Sequence, residues 1–111
     1  MPDDYVTVAR VEEVPPGTRR LVAVGRHGVL LVNLDGTLYA VPNACPHANW
    51  PLSESTLCDT VLKCARHGWE FDVPSGKATW PPFGYRLQHL PLRVVGEAVQ
   101  VAWEEPAGQA Y

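Results

Sequence analysis

Residues 45 to 50, CPHANW, set a thiol (Cys45) and an imidazole (His47) two positions apart, with Pro46 stiffening the turn between them. Residues 48 to 63 separate this pair from a second, CARHGW at 64 to 69, in which Cys64 and His67 stand three apart and Gly68 follows. Each half offers one soft sulfur and one imidazole nitrogen. The intervening chain is long enough to form a loop and return a strand, so that the two turns face each other. Two thiolates and two imidazoles suit zinc or an iron–sulfur cluster, and leave no open position for a hard cation.

The scaffold around the two turns reads as β. Nine glycines and eleven prolines are spread along 111 residues, which favours short segments between turns over long helices. Apolar, β-branched stretches recur at 20–24, 29–34, 37–41, 60–64, 69–73, 86–92, 93–95 and 98–103. Asp35-Gly36 suits a two-residue hairpin turn, because glycine accepts the positive φ that such a turn demands. Gly96-Glu97 offers the same near the end, and Ser75-Gly76 marks a third reversal. The expectation is therefore all-β: three hairpins plus connectors, as a sandwich or small barrel, with no helix of three turns. The stretch from Asn43 to Thr60 breaks the alternation, and a long irregular loop inside a small domain is usually functional. The tail from Glu104 onward is expected to fray.

Bulk properties exclude several functions. The length suits one domain, 1 to 111, and 46% hydrophobic with 19% charged residues is ordinary globular composition. Nine Lys plus Arg against twelve Asp plus Glu give a net charge of −3 with no basic run, so nucleic acid is not an expected partner. The opening MPDDYV is acidic where an export signal is basic, and the longest early aliphatic run is VLLV (29 to 32), which points to no membrane association. Three irregularly placed cysteines do not make a disulfide framework. They suggest a reducing, cytoplasmic setting and another task for the thiols.

Zinc turns usually pair two cysteines or two histidines within one knuckle. Here both knuckles are mixed, as a dinuclear cluster needs when one iron takes both cysteines and the other both histidines. CPHANWPLSE followed by CARHGWEFDVPSGK resembles the paired boxes of Rieske iron–sulfur domains, closely over about residues 43 to 80 and elsewhere only through β-rich organisation. The resemblance implies a Rieske-like fold of small antiparallel sheets whose cluster-binding subdomain, at about 43 to 80, is inserted as two loops. It implies a 2Fe-2S cluster, with Cys45 and Cys64 on the inner iron and His47 and His67 on the outer one. Two ferric ions, two sulfides and two thiolates are jointly neutral, so one added electron leaves a negative site. Deprotonation of the iron-bound imidazoles should make the potential fall at high pH.

Respiratory members of the family carry an extra cysteine in each box, which together form a disulfide. Trp50 and Arg66 stand at those positions here. Those members also place a serine two residues and a tyrosine four residues after the second histidine, whose hydroxyls donate toward the cluster. Trp69 and Phe71 stand there instead, which suggests a potential near the low end of the Rieske range, about −150 mV. These departures resemble the ferredoxin component of bacterial oxygenase systems. That implies a carrier without a catalytic site of its own, monomeric when isolated, passing single electrons from a flavin-containing, NAD(P)H-dependent reductase to a terminal oxygenase. The alternatives are the small Rieske subunit of an assimilatory nitrite reductase and a zinc-stabilised interaction module. A complete oxygenase is excluded, because its mononuclear iron wants two further histidines and a carboxylate in facial geometry, and the two unused histidines, His27 and His89, stand far apart in the sequence.

Other residues read more plainly. Cys58 fits neither box and is expected to be a buried, inert thiol. His27, in a turn, and His89, in a strand, are expected at the surface and half-buried respectively rather than as ligands. Trp80-Pro81-Pro82-Phe83-Gly84 is a rigid apolar loop where the family has a third loop over the cluster. If it covers the site, Trp80 and Pro81, with Pro46 and Trp50, would keep water from sulfur. Asn49 and Arg66 lie beside the ligands and could meet a partner, and Glu12, Glu13 and Asp59 could steer docking; a solvated surface explains all of them equally well.

Overall fold

The computed structural model describes residues 4–45, 51–64, 68–81 and 86–104. It carries ten strands: β1 (Val6–Arg10), β2 (Arg19–Val24), β3 (His27–Leu34), β4 (Thr37–Pro42), β5 (Thr56–Cys58), β6 (Val61–Lys63), β7 (Glu70–Asp72), β8 (Ala78–Trp80), β9 (Leu92–Val95) and β10 (Ala98–Val101). Two 3-10 turns, Val11–Glu13 and Leu52–Glu54, are the helical elements among the described residues. All strand pairs are antiparallel and form three sheets, ordered β1-β10-β9, β2-β3-β4 and β5-β6-β7-β8.

β3 organises the layers. Its residues Val29 to Asn33 are all buried, and because side chains alternate across a strand the run divides between two cores. Val29 and Leu31 join Ala9, Val14, Val24, Ala40, Leu90, Val99 and Val101. Leu30 and Val32 turn the other way, toward Val41, Leu52, Leu62, Phe71, Val73, Leu87 and the two cysteines Cys45 and Cys64. Ala40 and Val41 repeat the division on β4. The middle sheet thus has apolar packing on both faces, which is why 29–34 is nearly uniformly apolar where a half-exposed strand would alternate.

The three expected reversals are present. Asp35 (φ 56°) and Gly36 (φ 97°) join β3 to β4, Gly96 (φ 61°) lies between β9 and β10, and Gly76 (φ 77°) lies between β7 and β8. Two more hairpins occur at Gly25-Arg26 and at Asp59-Thr60. The second of these corrects the expectation of an irregular stretch to Thr60: from Leu52 onward the chain is a 3-10 turn and then β5, paired with β6. The apolar stretch 86–92 also differs. Residues 87–91 form no strand, although Leu87 donates to the Gly76 carbonyl at 2.8 Å and Leu90 to the Ala40 carbonyl at 2.7 Å. β1 matches no stretch expected to be a strand; it pairs with β10 through a bulge between Thr7 and Ala9. The expected fray beyond Glu104 lies outside the described residues.

Candidate cluster-binding site

The two loops that carry the Cys/His pairs leave neighbouring sheets. The first follows β4 on the middle sheet and returns at the 3-10 turn Leu52–Glu54, and the second joins β6 to β7. At the root of the first, Asn43 donates its backbone N–H to the Gly28 carbonyl at 3.0 Å, and Ala44 donates to Pro42 at 2.8 Å. Cys45 follows, 1% exposed. At the root of the second, Cys64 donates to the Trp69 carbonyl at 2.7 Å and accepts from Gly68 N–H at 2.9 Å. This closes the turn so tightly that Gly68 takes φ 71°. Cys64 is likewise 1% exposed.

Both sulfur-bearing residues belong to one apolar cluster with Leu30, Leu52, Leu62 and Phe71, and none of the three cysteines is in a disulfide. Two dry thiol groups from different loops, each with a histidine two or three residues further along the same loop, are a donor set that fits a soft dinuclear centre. His47 and His67 lie outside the described residues, as do Pro46, Asn49, Trp50 and Arg66. Among the described residues no three potential ligands gather elsewhere.

The remaining sequence candidates separate from this site. Cys58 is exposed at the end of β5, a correction of the expected buried thiol: it stands beside the Asp59 turn, where its side chain has no core to enter. The expected exposures of the two other histidines are reversed. His27 begins β3 and is half-buried, stacked on Trp103 with centroids 3.9 Å apart and planes within 1°. His89 lies in the strandless segment and is largely exposed, although its Nε2 meets the Val73 carbonyl at 2.6 Å. Trp80 is 59% exposed at the start of the loop expected to cover the site. Pro81 is half-buried, and Pro82, Phe83 and Gly84 lie outside the described residues.

Residues 4–91 match the model of the Rieske [2Fe-2S] domain. The chain belongs to this family. It is 34% identical over 104 residues to the biphenyl dioxygenase ferredoxin subunit of Pseudomonas sp. strain KKS102, covering 93% of this chain and 95% of that protein. It is 37% identical over 102 residues to the ferredoxin component of the alkene monooxygenase system of Xanthobacter autotrophicus, covering 91% and 83% respectively. Among solved structures, one from the complex of reduced oxygenase and oxidized ferredoxin in carbazole 1,9a-dioxygenase superposes with a TM-score of 0.82 at 29% identity, covering 95% of this chain and 98% of that one. The chain is therefore a Rieske electron-transfer protein with a 2Fe-2S cofactor, and not a catalytic subunit. Among the described residues no helix is long and apolar enough to cross a membrane.

Three residues near the loops have roles that the motif reading missed. Asn43 accepts the Ser53 N–H on its Oδ1 at 2.7 Å, bridging the two limbs of the first loop. Arg19, at the start of β2, donates to both the carbonyl and the hydroxyl of Ser55, the latter at 3.0 Å. Ser55 is buried, and its hydroxyl also donates to the Leu52 carbonyl. For Asn43 the signal was its place at the end of a strand and before a turn, where an amide oxygen commonly accepts a backbone N–H. Arg19 is distant in sequence from the loop it holds, and nothing local announces it.

Proposed function

We propose that Cys45 and Cys64 hold the inner iron of the 2Fe-2S cluster and His47 and His67 the outer iron, and that the protein shuttles single electrons from an NAD(P)H-dependent flavoprotein reductase to a terminal oxygenase. The observation that carries this reading is the burial of Cys45 and Cys64 in one apolar cluster, at the roots of two loops whose next polar metal donors are the histidines. The named relatives, two ferredoxin components of oxygenase systems and a ferredoxin found with its oxygenase, support the partner class.

The cluster supplies one-electron redox chemistry when bound. The chain's own part is to hold two sulfurs where water is scarce, which weakens solvation of the negative reduced state and favours a low potential. Leu52, Leu62 and Phe71, all fully buried, line that environment. The cysteines without disulfides support a reducing, cytoplasmic setting. A single domain with its cluster-binding part at about 43–80 fits the separate sheet β5 to β8.

Anaerobically prepared protein tests the ligand set. Cys45→Ser, Cys64→Ser, His47→Ala and His67→Ala should each abolish the red-brown colour or change the rhombic paramagnetic signal of the reduced protein, whereas Cys58→Ser should leave both intact. The wild-type protein should restore turnover to a mixture of oxygenase and flavoprotein reductase. One metal atom per chain without acid-labile sulfide would overturn the ligand assignment, and failure with every oxygenase tried, despite a normal cluster, would overturn the partner assignment.

A further inference from the structure

We propose that Asn43 is a positioning residue for Cys45, holding the neck of the first loop at a fixed width through a single amide, with Gly28 as the space that lets it do so. The proposal rests on the reading of Cys45 as a cluster ligand.

Asn43 stands one residue beyond β4, where the ladder to β3 ends at the Val29–Pro42 pair. Its backbone N–H continues that ladder by one more bond, to the Gly28 carbonyl at 3.0 Å. The main chain then turns sharply, with Ala44 N–H on the Pro42 carbonyl, and delivers Cys45 into the core. The Asn43 side chain runs across the neck and accepts the Ser53 N–H at 2.7 Å. Ser53 belongs to the 3-10 turn Leu52–Glu54, whose first residue, Leu52, is fully buried in the same cluster as Cys45. One side chain therefore ties the outgoing limb, two residues before Cys45, to the returning limb, next to the apolar side chain that packs beside it.

Ser53 N–H lies in the first turn of a helix, where no intrahelical carbonyl can reach it, so Asn43 supplies an acceptor that this amide otherwise lacks. An aliphatic side chain at 43 could not. Gly28 completes the arrangement. A Cβ on residue 28 would lie 3.3 Å from Asn43 Cβ and 3.7 Å from Asn43 Nδ2, closer than ordinary van der Waals contact for the first. The bare backbone of β3 forms the wall against which the amide is set, and a methyl there would push Asn43 by a few tenths of an ångström. Widening the neck admits water toward the Cys45 sulfur, and better solvation favours the more negative reduced state. The expected signature is a higher reduction potential together with faster loss of the cluster.

The test uses the holoprotein with three substitutions: Asn43→Ala, Asn43→Asp and Gly28→Ala. Cluster loss under chelator, followed by visible absorbance, should accelerate about tenfold in Asn43→Ala, the size expected when a half-buried amide loses its acceptor. It should return near the wild-type rate in Asn43→Asp, which keeps the accepting oxygen. Gly28→Ala, which displaces Asn43 without removing it, should accelerate loss by a smaller factor. Asn43→Ala and Gly28→Ala should both raise the reduction potential and shift the paramagnetic signal of the reduced state. A fall in melting temperature with unchanged potential, signal and loss rate would overturn the proposal by reducing Asn43 to a structural role. If Asn43→Ala does not fold, an unchanged potential and loss rate in Gly28→Ala would do the same. Failure of the underlying reading is separate, since Cys45→Ser would then retain an unaltered cluster signal whatever residue 43 does.

Discussion

Gly68 N–H donates to the carbonyl of Cys64 at 2.9 Å, while Cys64 N–H donates past it to Trp69 at 2.7 Å, so the main chain of Cys64 is held from both sides by the turn it starts. The turn closes because residue 68 takes φ 71°, a left-handed conformation that costs most residues about 1–2 kcal/mol. Among the described residues, a methyl group there would meet Lys63 Cε alone, at 3.6 Å. Gly68→Ala should therefore fold, with stability lowered by about 1–2 kcal/mol in chemical denaturation, and should release its cluster faster than wild type.

Gly76 makes the contrasting case. It also has positive φ, 77°, but a Cβ would stand 2.7 Å from the Leu87 carbonyl oxygen, and that carbonyl belongs to a segment fixed by Leu87 N–H on the Gly76 carbonyl at 2.8 Å. Backbone must move to admit the methyl. Gly76→Ala should lower stability by more than Gly68→Ala, by about 3 kcal/mol or more once overpacking adds to the φ penalty. Denaturation of the two variants side by side gives the ordering, and equal losses would show that the contact with Leu87 yields freely.

How far these features could be read in advance depended on whether their causes are local. Asp35-Gly36, Ser75-Gly76 and Gly96 announced their turns because positive φ selects glycine and its few substitutes at that very position. The four proposed ligands stood out in the sequence because soft donors at such spacing have few other uses. Gly25-Arg26 and Asp59-Thr60 were missed as hairpins, and Asp59 shows why: it adopts φ 55° without being glycine, held by the pairing of β5 with β6 on either side. The apolar run ending at Leu92 looked like a strand, yet Leu90 bonds to Ala40 on the middle sheet and Leu87 to Gly76 in the β7–β8 connection, so it bridges layers instead of joining one. The half-burial of His27 likewise depends on Trp103, far along the chain.

Arg19 ties the middle sheet to the far limb of the first loop. Its half-buried guanidinium donates to the carbonyl and hydroxyl of the buried Ser55. Arg19→Met keeps the aliphatic stem but leaves that carbonyl without its charged donor, at a cost of about 1–3 kcal/mol. Arg19→Lys offers a single ammonium in place of a planar fork and should recover only part of the loss. Chemical denaturation of the three proteins should rank them wild type, Lys, Met.

Asp72 supplies a prediction in pH. At the end of β7 its carboxylate accepts from the Thr60 hydroxyl at 2.7 Å, the Ser75 hydroxyl at 2.7 Å and the Ser75 N–H at 3.1 Å, pinning the turn that leads to Gly76. The Thr60 hydrogen bond, followed by that from the Ser75 hydroxyl, holds its pKa below the usual carboxylate value. A carboxyl group whose native pKa is depressed binds its proton more readily in the unfolded chain. Its contribution is thus fully present above the ordinary carboxylate pKa of about 3.9 and is lost as pH falls through the lower native value. Asp72→Asn removes the charge while keeping the shape, so it should be less stable than wild type by about 1 kcal/mol at neutral pH. That difference should shrink as the pH is lowered below the ordinary carboxylate range. Comparing the two proteins at each pH cancels the acid sensitivity of the cluster, which both share, and a difference that stays constant from pH 7 into that acid range would show that the three hydrogen bonds do not depend on the charge of Asp72.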